Sequence, residues 1–129
     1  MIDFLAAYTE KGDFFLSADA DLASLVKDVP EKPGVFCIYR HARGKVELVF
    51  LGYTHFRGSL RKTLTQQPGS GDAAAFLRSK MQKEGIDAVQ IHWFVSQRKN
   101  KIDDPETLFL ELMKSHKQML GGFPHWQQY

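Results

Sequence analysis

The sequence predicts an α+β domain, on three observations. Two short runs rich in Val, Ile, Phe and Tyr, at 34–40 and 46–51, are separated by only five residues that include Gly44. So short a connection requires an antiparallel hairpin. A third run alternates, with Val89, Ile91, Trp93 and Val95 on one side and Gln90, His92 and Phe94 on the other, the period of a strand with one buried face. The stretch 104–120 carries a full set of helix signals: Asp104 as N-cap, Pro105 in the first position, Glu106 in the first turn, and an apolar stripe of Leu108, Phe109, Leu112, Met113, Met119 and Leu120.

Taken in order, the first helix is expected to start at Ser17, an N-cap followed by Asp19 and Asp21, with Leu22, Leu25, Val26 and Val29 at helical spacing. Pro30 and Pro33 end it. Residues 1–29 are thus read as an N-terminal helical extension and 30–129 as the core of a single domain. After the hairpin, with its turn at His41 to Lys45, a helix is expected between Phe56 and Gln67. The breaker Gln67-Pro68-Gly69-Ser70-Gly71 precedes a helix from Asp72 to about Glu84, with Phe76, Leu77 and Met81 inward. The third strand covers 88–95. The last helix stops at Gly121-Gly122, leaving the tail PHWQQY.

Composition narrows the class. With 43% hydrophobic and 25% charged residues the chain reads as an ordinary globular protein. The N-terminus has no basic segment followed by a long apolar one, and no apolar run approaches the ~20 residues of a membrane span, so a cytoplasmic protein without a membrane partner is expected. The single cysteine, Cys37, lies inside a strand run and reads as a packing residue. The net charge of +2 is unevenly spread: residues 57–101 hold nine bases and three acids, while 1–31 hold two bases and seven acids. The basic middle, with Arg57, Arg61, Lys62, Lys80, Arg98 and Lys99, suits a surface facing phosphates; a solvated basic face is the alternative. The five histidines show no metal-ligand spacing, and His116 falls on the apolar stripe of the last helix. Trp93 and Trp126 read as packing aromatics. No phosphate-binding loop, dinucleotide fingerprint or nucleophile elbow is present.

Gly34-Val35-Phe36 and Phe50-Leu51-Gly52 resemble the paired tripeptides of the GIY-YIG nuclease family, with both motif tyrosines replaced by phenylalanine. The lead-in LVKDVPEKPGVF is similar to the approach to the first strand in the nuclease domains of bacterial excision-repair incision subunits. Glu106 to Glu111 resembles the helical segment in which the family places its metal-binding glutamate, and Pro124-His125-Trp126-Gln127 its closing Pro-x-aromatic-Asn, with Gln127 in place of asparagine. The resemblance spans roughly 22–127 and implies a small three-stranded antiparallel sheet flanked by helices.

Carried over residue by residue, the resemblance makes Gly34, Phe36, Phe50 and Gly52 the motif positions and Glu111 the ligand of Mg²⁺ or Mn²⁺. A hard divalent cation is commonly held by one or two protein carboxylates plus substrate phosphates, so one glutamate can suffice. Phosphodiester cleavage also needs a group to position or deprotonate water, and a phenyl ring has no proton to exchange. Tyr53 and His55 are the nearest replacements; an imidazole titrating near ~6.5 is the better base than a phenol near ~10. The cationic role falls to Arg61, with Arg57 in reserve, because a guanidinium can donate two parallel hydrogen bonds to phosphate. Two functions stay open: metal-dependent cleavage of nucleic acid, DNA foremost, or a catalytically silent relative that binds nucleic acid or a protein.

Overall fold

The hairpin forms as its turn chemistry dictates. Arg43 and Gly44 both hold positive φ, 54° and 75°, the arrangement of a two-residue hairpin turn whose twist matches that of the flanking strands. It lets the strands run further than expected, β2 over Gly34–Ala42 and β3 over Lys45–Tyr53. The computed structural model describes residues 3–17, 21–65, 73–98 and 101–127. The breaker at 67–71 therefore lies outside the described residues.

Among the described residues the sheet has four strands, where the sequence predicts three. The additional strand, named β1 as first in the chain, is Lys11–Leu16, and it pairs antiparallel with β4 (Ala88–Val95). The order is β1-β4-β2-β3, all neighbours antiparallel. The segment expected to be a helical extension thus contributes a strand, preceded by a 3₁₀ turn at Asp3–Ala7. Its Gly12 lies under Trp93, where a Cβ would stand 2.6 Å from the indole.

Register then assigns each side chain to a face. On β2, Phe36 and Ile38 point to one side and Val35 and Cys37 to the other. On β3 a bulge intervenes: Ile38 pairs with Phe50 and Tyr39 with Leu48, so Val49 is the extra residue. Val49 and Phe50 consequently pack on the same side.

The first face is covered by α1 (Leu22–Leu25), a 3₁₀ turn at Val26–Asp28, α2 (Leu60–Thr65) and α3 (Ala73–Glu84), through Leu22, Val26, Leu60, Leu64, Leu77 and Met81. The helix expected from Ser17 starts at Leu22, and the one expected from Phe56 starts at Leu60. The second face is covered by α4 (Pro105–Leu120), through Leu108, Phe109, Leu112 and Met113, together with Leu5 and Tyr8. Helix α4 has the anticipated ends: Asp104 accepts from the Thr107 N–H, and Gly121, at φ 80°, donates to the Lys117 carbonyl. A two-stranded hairpin, β5 (Gln97–Arg98) and β6 (Lys101–Ile102), leads into α4. Among the described residues no helix is long and apolar enough to cross a membrane.

Candidate nucleic-acid interface

The two strands that carry the paired tripeptides lie side by side. Phe36 lies opposite Gly52 and Ile38 opposite Phe50. The Phe36 and Phe50 rings sit 6.1 Å apart. Phe36 is only 6% exposed and fills the space that a Cβ on Gly52 would need. Both rings pack on the first face with α2 and α3.

The other positions do not join them. Tyr53 points to the second face, stacks on Phe109 at 4.5 Å and donates from its hydroxyl to Glu106 at 3.3 Å. Helix α4, which carries Glu111, packs on that second face, so the sheet lies between it and the two motif phenylalanines. Glu106 and Glu111, five residues apart, are turned about 140° from each other around the helix axis. The α4 carboxylate that meets Tyr53 is therefore Glu106, while Glu111 is exposed and makes no hydrogen bond or ion pair among the described residues. Arg61 donates from Nε to the Val29 carbonyl at 2.8 Å, and its guanidinium lies 3.8 Å from Glu31. Among the described residues no group of three or more His, Cys, Asp or Glu is placed to hold a metal ion.

Gln127 has a role that sequence reasoning missed. Its amide accepts from the Leu51 N–H at 2.9 Å and donates to the Leu51 carbonyl at 2.8 Å, while the Trp126 N–H donates to the Val49 carbonyl at 2.8 Å. The tail thus pairs with the outer edge of β3 much as another strand would. Trp126 is buried against the first-face core, and its indole N–H donates to Glu84.

The basic residues divide by what already engages them. Arg98 makes two hydrogen bonds to Asp103, at 2.8 and 3.3 Å, and lies over the Tyr8 ring. Tyr8 donates to the same carboxylate at 2.6 Å. Hydrogen bonds from Arg98 and Tyr8 hold the Asp103 carboxyl below its ordinary range, while burial, then Asp103, pushes the Tyr8 phenol up to about 12. Lys80 sits 5.7 Å above the Trp126 ring and 5.9 Å above Phe76. Lys99 lies outside the described residues. Of the six bases named from the sequence, Arg57 and Lys62 remain: both are exposed, and neither makes an ion pair among the described residues.

These two cations flank a loop fixed at its base. Thr54 is 2% exposed; its Oγ1 accepts from the Gly34 N–H at 3.1 Å and donates to the His55 carbonyl at 2.8 Å, and its N–H donates to the Gly34 carbonyl. The Gly58 N–H donates to the His55 carbonyl at 2.8 Å, closing a turn over His55-Phe56-Arg57-Gly58. A Cβ on Gly58 would stand 3.0 Å from the His55 nitrogen. Beyond the turn, the Leu60 N–H donates to the Lys32 carbonyl at 2.9 Å. The turn therefore presents His55, Phe56 and Arg57 to solvent from a fixed base, with Lys62 on the following helix. Comparison with models of known protein families, with curated proteins and with solved structures finds no match.

Of the residues singled out from the sequence, the structure brings Gly34, Phe36, Phe50 and Gly52 together and sets His55, Arg57 and Lys62 on one segment. Phe56 is not singled out by the sequence, because it falls at the expected start of a helix that in the structure begins at Leu60. The available signal was local: an aromatic between histidine and arginine, followed by glycine, is a turn sequence with a cationic rim.

Proposed function

We propose that the chain is a nucleic-acid-binding module that keeps a GIY-YIG-like hairpin and lacks a phosphodiester-cleaving centre. Cleavage requires a water-activating group, a metal ligand and a cation held around one phosphate. Here the motif rings are phenyl groups packed in the core of one face, and the helix with the metal-ligand candidate covers the other. These facts favour binding without cleavage.

The observation that carries binding is the pair Arg57 and Lys62, two exposed cations on and beside a pinned turn with no ion pair among the described residues. Cations already engaged by carboxylates, such as Arg98 at Asp103, have less to offer a phosphate. Contact between the open cations and a phosphate backbone would release counterions, so affinity should fall steeply as salt rises.

Two measurements test the reading. Fluorescence anisotropy with labelled DNA and RNA should show binding at low ionic strength that weakens with salt; salt-independent binding, or none, would overturn it. Incubation of DNA with Mg²⁺ or Mn²⁺ should leave the strands intact. Cleavage lost in Glu111→Gln would instead establish a nuclease.

A further inference from the structure

We infer that the His55–Gly58 turn is a stacking site for an unpaired nucleobase, with Phe56 as the platform and Arg57 and Lys62 as the phosphate contacts. The inference rests on the nucleic-acid-binding reading and adds the class of strand that is bound. Phe56 is 59% exposed at the corner of the turn, although an aromatic ring is ordinarily among the more buried side chains. The hydrogen bonds of Thr54 and Gly58 hold the backbone beneath it. Little ordering of the loop is therefore needed when a ligand arrives.

The surroundings select the ligand. An apolar pocket on a protein would bring no counter-charge for Arg57 and Lys62, whereas a nucleotide presents a flat π face and an anionic phosphate within one repeat. Ring stacking with a cationic rim is how strands are gripped without regard to sequence. Within a duplex both faces of every internal base are already stacked on neighbours, so Phe56 would find no surface to cover except at the ends. The site should prefer a single strand on that account, while the two cations serve either form.

The test uses the full chain with a labelled single-stranded oligothymidine of about 12 nucleotides, within the span of one binding module, and a duplex of equal length. Phe56→Ala should weaken single-strand binding about tenfold, the loss expected for one stacked base, and leave duplex affinity unchanged. Phe56→Trp should retain binding and show indole quenching on addition of the single strand, beyond any change seen in the parent protein. The ring is exposed, so both variants should keep the parent's unfolding midpoint. Equal weakening toward both forms would overturn the stacking role. Full single-strand affinity in Phe56→Ala, with affinity lost in Arg57→Ser, would overturn stacking and leave the functional reading standing. Absence of binding to either polymer by the parent protein would overturn both.

Discussion

Phe36 and Gly52 face each other across β2 and β3, and the ring of one occupies the space a side chain on the other would take. Gly52→Ala should therefore overpack this point and cost about 1–3 kcal/mol, read as a lower urea midpoint at unchanged slope, with part of the loss restored by Phe36→Leu. A second residue-scale prediction concerns the Tyr8–Asp103–Arg98 cluster. The carboxyl of Asp103 is held below its unfolded value, so its contribution is present above the ordinary carboxylate pKa and is lost as pH falls through the folded one. The Tyr8 phenol, pushed up to about 12, behaves oppositely: its contribution is complete below the unfolded value of ~10 and is lost as pH rises through the folded one. Melting temperature followed against pH should show both slopes. Asp103→Asn should flatten the acid one, and Tyr8→Phe should flatten the alkaline one while costing about 1 kcal/mol at neutral pH.

At the scale of elements, the tail holds the edge of β3 through the Gln127 side chain at Leu51 and the Trp126 backbone at Val49. Without the Gln127 amide, the Leu51 N–H and C=O on that edge lose their partners. Gln127→Ala should speed hydrogen exchange at the Leu51 amide and leave the β2–β4 amides protected; equal exchange in the two proteins would contradict the edge-capping role. The elements also differ in how far they could be read from sequence. Helix α4 was legible because Asp104, Pro105 and Gly121 are local signals that act within one turn of the backbone. Strands β2 and β4 were legible through aromatic and β-branched residues that suit a pleat. Strand β1 was not, since Lys11-Gly12-Asp13 contains two residues that strands disfavour, and Gly12 is explained only by the Trp93 ring arriving from a strand some eighty positions away. The candidate site divides the same way. Arg57 and Lys62 stand out by charge, but the turn that presents Phe56 depends on Thr54 bonding to Gly34 across the hairpin.

For the whole molecule, the three-layer arrangement is what supports the proposed reading. Helices α1 to α3 cover one face of the sheet and α4 the other, so residues placed together by motif are parted by the sheet. The charge pattern is likewise redistributed by folding, because bases that look equivalent in the +6 middle segment are paired at Arg98, set over an aromatic ring at Lys80, and open at Arg57 and Lys62. Lys83 is also exposed and makes no ion pair among the described residues, but it lies on α3 away from the His55–Gly58 turn, so electrostatic binding at the turn should follow Arg57 and Lys62. The most direct test is the slope of log affinity against log salt for a single-stranded oligonucleotide, compared among the parent protein, Arg57→Ser/Lys62→Ser and Lys80→Ser/Arg98→Ser. The first pair should reduce the slope by about two, one for each lost phosphate contact, and the second should leave it near the parent value. An equal reduction by both pairs, or a reduction only with Lys80 and Arg98 replaced, would contradict the account.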